Sequence, residues 1–437
     1  MRFIKMQRLG MLMPVAAMLL LSACDHYNCS SGANFGASTC TSSGSGLGTS
    51  GSGGTATAAF AFAVDTAGGS SNGTIDGYTL NTTANTFAAT PSYTAPSIPT
   101  NDGGVGMVVA QSQYLYAGFG LAGQLYGWSI DSTGNLTAIS GSPYTETFMS
   151  GVGGSRGINS IITNPAGTLL FLADTDSDQI YVFQIGTGGA LTAVSGSPFS
   201  VPLSPVNLAT DGLGKYLYMT NPDSSHVGSE IAAYSIASTG ALTAVSGSPF
   251  VTSGSASYSM WQVAGEPTGK YLIGATGQNA DINGVDDDHL YVYAITQSGS
   301  AAGAITPVSG SPFATEFSPY NIAVQPNSTG NLVYSFSIND TLTGFNGIEG
   351  YSIDSSTGAL SAVSGSPFSG GTLGSWGQFD QSGAFLFVYS AVDDNGTFSY
   401  TLSPFDVAST GTLTDPISGT SLTDSGFWVV TDPPAAQ

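Results

Sequence analysis

An all-β fold, a seven-bladed β-propeller with four antiparallel strands per blade, is predicted by three features of this sequence. The string Ser-Gly-Ser-Pro-Phe recurs at Ser195–Phe199, Ser246–Phe250, Ser309–Phe313 and Ser364–Phe368, with Tyr replacing Phe at Ser140–Tyr144. Each copy ends the same phrase, an aromatic strand, a Gly turn and a short apolar strand, as in Tyr234 to Val245. Charged residues make up only 8% and aromatics 11%, and with 60 glycines no stretch holds a helical period, so the chain favours short strands and tight turns.

Residues 1–23 read as a lipoprotein signal peptide. Arg2, Lys5 and Arg8 give a basic start, and the apolar run from Leu9 to Leu21, interrupted by Pro14, is too short to span a bilayer as a mature helix. Leu21-Ser22-Ala23-Cys24 resembles the lipobox of bacterial lipoproteins. That resemblance implies acylation of Cys24 and a stable membrane anchor. Asp25 resembles the inner-membrane retention signal of enteric bacteria. The expected location is the bacterial cell envelope, facing the periplasm or the exterior, with either membrane open as the anchor point.

Residues 24–54 carry Ser, Gly, Thr and Ala with little to bury, the composition of a flexible tether. Cys29 and Cys40 lie here, and an oxidising envelope would permit a disulfide between them. Two unpaired thiols fit the spacing equally well, and no CxxC or Cys/His zinc pattern is present.

Residues 55–437 form the propeller. A worn copy of the signature starts at Ser418, and counting back by about 55 residues from Ser140 reaches Ala89–Tyr93, which makes seven units. Four strands follow one another in each unit. Strand A is exemplified by Asn321–Gln325, strand B by Lys215–Met219 and strand C by His289–Ile295, and strand D runs into the signature. The N-terminal unit has strands B, C and D (Ala59–Val64, Gly77–Leu80, Thr86–Ala89) and no A, whereas Phe427–Pro433 is an orphan with the strand A pattern. The two fragments complete one blade and close the ring, which leaves no open edge there. In the signature, Gly and Ser permit a bend, Pro fixes φ and Phe packs between blades.

The formal charge is −22, and beyond the leader only Arg156, Lys215 and Lys270 are basic. Nucleic acid is therefore excluded as a partner, and anionic lipid surfaces would be repelled. Chemistry is expected on the face shared by the B–C and D–A loops, at the mouth of the channel lined by strand A. Counting back from each A–B turn picks out Met107, Ser160, Asn207, Gln262, Asn321, Gly377 and Trp428, a ring without an acid or base. From it Ser160, Asn207, Gln262 and Asn321 are candidate ligand-binding residues. Arg156, just before its strand A, is a candidate anchor for a carboxylate. The acidic loop with Asp281, Asn283, Asp286, Asp287 and Asp288 is a candidate calcium site, since calcium takes oxygen ligands from such mixtures. Asp174, Asp176 and Asp178 form a second, sparser one. His226 and His289, without a second His at metal spacing, read as surface residues.

The Gly-Lys-Tyr-Leu-Tyr string at Gly214–Tyr218, the Tyr-x-Ile-x-x-x-Thr-Gly-x-Leu hairpins and the seven-unit count resemble the seven-bladed lactonase family. That family includes bacterial 6-phosphogluconolactonase and fungal carboxymuconate cyclases, and the resemblance covers about residues 55–432. It implies Arg and His on strand A and an Asn-Glu after strand B; the matching stretches here are Pro205-Val206-Asn207 and Thr220-Asn221-Pro222. The leading expectation is a lipid-anchored binding or interaction module, taking a protein or small-molecule ligand on the loop face as a monomeric domain. The alternative is a lactone hydrolase of the resembling family, using Arg156 and nearby Asn side chains or a loop-bound metal.

Overall fold

The computed structural model describes residues 57–65, 74–90, 105–119, 123–144, 158–221, 230–252, 260–276, 287–326, 331–337, 347–369, 374–394, 397–414, 417, 420–422 and 428–431. The leader, the tether, Arg156, His226 and Asp281 to Asp286 lie outside these residues. Seven antiparallel sheets take up the strands. Strands A of successive blades touch all the way round, from Val105–Ala110 of blade 2 to Trp428–Thr431 of blade 1 and back. This is the seven-bladed ring expected from the repeat.

The blades pack face to face, because each sheet has two apolar sides and alternates its residues between them. Leu170 and Leu172 of blade 3 meet Val108 and Tyr116 of blade 2, while Phe171 and Ala173 meet Leu217 and Met219 of blade 4. The core is thus a series of inter-blade layers. Strand B is buried along its whole length in blades 3, 4, 5 and 6.

The signature returns the chain to strand C after strand D has left it. Phe199, Phe250, Phe313 and Phe368 each pair with strand C of their own blade, opposite Ile180, Ile231, Leu290 and Ile348. Its second Ser accepts a strand C N–H at 2.9 Å for Ser197, 2.8 Å for Ser248 and 3.0 Å for both Ser311 and Ser366. The Gly before that Ser has φ near +90°, and the Ser-Pro bond is cis in all five copies. The Phe rings then pack between neighbouring blades, Phe250 with Met260 and Tyr293, for example.

A second latch alternates around the ring. Tyr116, Tyr218 and Tyr334 on strand B donate their hydroxyls to the carbonyls of Gly189, Gly303 and Gly411 in the next blade's C–D turn, at 2.6, 3.0 and 2.6 Å. Burial pushes all three phenols up from their ordinary value. Gly303 must be glycine, since its φ is +90° and a Cβ there would lie 2.5 Å from the Tyr216 ring.

Blade 1 is the split one. Its sheet runs Thr86–Ala89, Thr74–Asn81, Thr57–Asp65 and then Trp428–Thr431. The closing register pairs Phe60 with Thr431, Ala61 with Val430, Phe62 with Val429 and Ala63 with Trp428. Blade 7 holds the strand from its other side, because the Val430 N–H donates to Gln378 Oε1 at 3.2 Å.

Candidate functional site

Strand A presents its polar side chains to the neighbouring blade. The Leu208 N–H donates to Ser160 Oγ at 3.2 Å, Val263 N–H to Asn207 Oδ1 at 3.0 Å, Ile322 N–H to Gln262 Oε1 at 2.7 Å and Gly377 N–H to Asn321 Oδ1 at 3.1 Å. Asn321 Nδ2 also donates to Gln262 Oε1 at 3.1 Å. All four side chains are buried, the most exposed being Asn321 at 3%. These four side-chain oxygens act as staples between successive blades.

One position of that ring needs correction. In blades 4, 5 and 6 the stapled N–H follows the ring residue by one, so the Gly377 N–H identifies Trp376, and not Gly377, as the member from blade 7. A bulge between Gly374 and Trp376 accompanies the offset. The spacing from the turn agrees, since Trp376 precedes the bracketing Asp380 as Asn207 precedes Asp211.

At the loop face of blade 5 the structure assembles a group that the sequence reading took apart. Asp287, His289 and Tyr291 alternate into the start of strand C, so their side chains share one side of the sheet. Asp287 is 2% exposed. Its Oδ1 lies 2.8 Å from His289 Nδ1, and its Oδ2 accepts the Tyr291 hydroxyl at 2.9 Å and the Thr276 hydroxyl at 3.1 Å. His289 keeps 40% of its side chain exposed. An ionised carboxylate only accepts, so the hydrogen bond to Asp287 Oδ1 places a proton on His289 Nδ1. The Asp-x-His-x-Tyr alternation was the available signal.

Of the predicted calcium ligands, Asp281, Asn283 and Asp286 fall outside the described residues, and Asp288 is exposed. Among the described residues no group of three or more His, Cys, Asp or Glu is placed to hold a metal ion. In the second acidic stretch, Asp174 is 1% exposed. Its Oδ1 accepts the Ser177 N–H at 3.2 Å, and its Oδ2 has no hydrogen-bond partner among the described residues.

Burial raises the carboxyl of Asp174, and nearby Asp176 adds to the effect. Burial also raises Asp211, against the N–H groups of Tyr216 and Lys215, and Glu349, against the Glu316 N–H and the Tyr351 hydroxyl. Groups with raised folded values hold protons longer in the native state, so the stability they confer is complete at acid pH and is lost as pH rises through those values. The melting temperature is therefore expected to rise as pH falls from about 7 to about 5. Asp174→Asn, which removes a buried charge, is expected to flatten that slope. Thermal melts across this range check both statements.

Two further features bound the site. An arc of touching rings runs along the loop-face ends of strands A in blades 5 to 7: Trp261 to Tyr320 at 6.2 Å, Tyr320 to Trp376 at 5.6 Å and Trp376 to Tyr389 at 5.5 Å, with Tyr400 stacked beyond at 5.9 Å. On the opposite face, a cleft of about 440 Å³ between blades 3 and 4 is lined by Asn164, Thr168, Gln184, Thr192 and Ser238. Its lining offers no acid or base.

Residues 73–258 match the family described as Lactonase, 7-bladed beta-propeller. No curated protein matches the chain in sequence. Among solved structures, a Bacteroides fragilis protein provisionally named a 6-phosphogluconolactonase is similar at 15% identity and a TM-score of 0.59, covering 85% of this chain and 100% of its own. A Bacteroides uniformis protein with the same provisional name is similar at 16% identity and a TM-score of 0.57, covering 84% and 99%. A Lactobacillus plantarum protein is similar at 15% identity and a TM-score of 0.53, covering 86% and 99%. At these identities the likeness is one of fold. The chain resembles the lactonase propellers, as its hairpins and blade count implied.

Proposed function

We propose that this chain is a lactonase-like hydrolase that opens a small uncharged lactone at the loop face of its propeller. The observation that carries the reading is the lactonase-family match over residues 73–258. The provisional names of the two Bacteroides neighbours point the same way. The substrate is taken as unphosphorylated on electrostatic grounds. Beyond the leader the chain has three cations, and Lys215 and Lys270 stand at A–B turns on the far face, where Lys270 Nζ donates to the Ser355 carbonyl at 3.2 Å. A phosphate would meet a strongly acidic molecule with little to hold it.

The test is turnover of a lactone panel by the full chain in detergent, with and without added calcium. The expected result is ring opening of uncharged lactones and none of 6-phosphogluconolactone. Absence of turnover on every lactone overturns the reading.

The amide staples favour a second reading, a binding module, because the channel layer they build contains no acid or base. A defined envelope partner recovered by an inactive chain would support it. On either reading we take the protein to be anchored through lipidated Cys24 in the bacterial envelope, with residues 24–54 as its tether. Palmitate labelling and membrane fractionation are expected to be lost in Cys24→Ala.

A further inference from the structure

We propose that His289 and Asp287 form the general-base dyad of this propeller, His289 acting on water and Asp287 positioning it. The proposal rests on the hydrolase reading and assigns its chemistry to blade 5 and away from strand A. Three observations carry it. Asp287 is buried and its second oxygen is fixed by Tyr291 at 2.9 Å and Thr276 at 3.1 Å, so it has little freedom to rotate away from the imidazole. His289 Nδ1 lies 2.8 Å from Asp287 Oδ1, which sets the tautomer with the lone pair on Nε2. The imidazole is 40% exposed, and no described residue bonds to Nε2.

A surface ion pair would show none of this preparation. An exposed His that only neutralised an Asp would leave both groups in solvent, whereas here the carboxylate is buried behind its own donors. Burying an orienting carboxylate while exposing the far nitrogen of the ring is the arrangement a base needs. The pair also stands at the beginning of strand C, the loop-face end of the blade, beside the D–A loop, where the Ser318 hydroxyl donates to the Asp287 carbonyl at 3.4 Å.

Nε2 of neutral His289 takes a proton from water while the water oxygen bonds to the lactone carbonyl carbon, giving a tetrahedral oxyanion and an imidazolium held by Asp287. Collapse of the oxyanion re-forms the carbonyl and breaks the ring C–O bond. The departing alkoxide oxygen takes the proton from Nε2, which leaves an open hydroxy acid and the neutral base.

The test uses the full chain in detergent with two probes, glucono-δ-lactone and p-nitrophenyl acetate. His289→Gln is expected to lower kcat about 100-fold or more with little change in KM, the scale of a lost general base. Asp287→Asn is expected to lower kcat through the wrong tautomer and to leave KM near its wild-type value, a split that a merely structural role would not give. Melting curves of both variants identify unfolding, and His289→Asn replaces His289→Gln if the latter does not fold. A His289 variant that is folded and retains wild-type kcat overturns the dyad and leaves the hydrolase reading standing. A wild-type chain that turns over neither these probes nor any lactone overturns both.

Discussion

Deletion of residues 421–437 is expected to abolish the single cooperative melting transition of the propeller and to drive the chain into aggregates. The deletion takes away Trp428–Thr431, the strand A of blade 1. It strips strand B, Thr57–Asp65, of its partner along Phe60, Ala61, Phe62 and Ala63. The exposed edge would then be Ala-Phe-Ala-Phe-Ala-Val, an uncharged segment of alternating aromatics with no Pro, the kind of edge that pairs with other chains. The loss spreads beyond one sheet. Strand A of blade 1 touches strand A of both blade 7 and blade 2, so its removal breaks the ring of strands A. Val430, with 4% exposure, belongs to the apolar layer that joins Phe387 and Leu402 of blade 7 to Ala61 and Leu80 of blade 1. A deletion confined to residues 432–437 leaves every described pair of that strand intact and serves as the control. Thermal melts with sedimentation velocity decide the matter, and an unchanged melt of a monomeric truncated chain would count against closure by this strand.

The ring was legible because a repeat repeats its errors as well as its rules. Five signatures with the same Gly and Pro fixed the period, and the missing strand A at one end matched a surplus strand at the other. Packing within the repeat was legible for the same reason, since an aromatic at the same place in each copy must meet the same surroundings. The site was less so. Asp287 and His289 stood in the sequence as the end of an acidic loop and a lone histidine, and their pairing depends on where strand C begins. A shift of one residue in that start would turn both of them, with Tyr291, to the other side of the sheet. The ring residues posed the converse problem. Ser160, Asn207, Gln262 and Asn321 read as a lining for a ligand, and only the offset between blades, which brings each side-chain oxygen to the next blade's N–H, turns them inward. The misplacement of Gly377 came from counting residues where the bracketing acid of the turn was the better anchor, because a bulge alters the count and leaves the bracket in place.

Asn321→Leu separates a staple from a ligand contact more sharply than any other change in the ring. Asn321 Oδ1 accepts the Gly377 N–H at 3.1 Å, and its Nδ2 donates to Gln262 Oε1 at 3.1 Å. Leucine has nearly the same volume and no polar atom, so the substitution keeps the packing and removes both bonds. Gln262 Oε1 retains the Ile322 N–H at 2.7 Å, whereas the Gly377 N–H is left buried against apolar neighbours, with the Phe336 ring so close that a Cβ at Gly377 would meet it. A buried donor without an acceptor costs about 1 to 3 kcal/mol, and the lost second bond brings the expected total to roughly 2 to 4 kcal/mol. That is a large share of the stability of a domain held by about 5 to 15 kcal/mol. The measurement is a urea denaturation midpoint together with lactone turnover on the folded fraction. If Asn321 is a staple, the midpoint falls and the specific activity of the folded protein holds. If it contacts the ligand, activity falls while the midpoint stays near the wild-type value, and the channel, not blade 5, is where the chemistry must be sought.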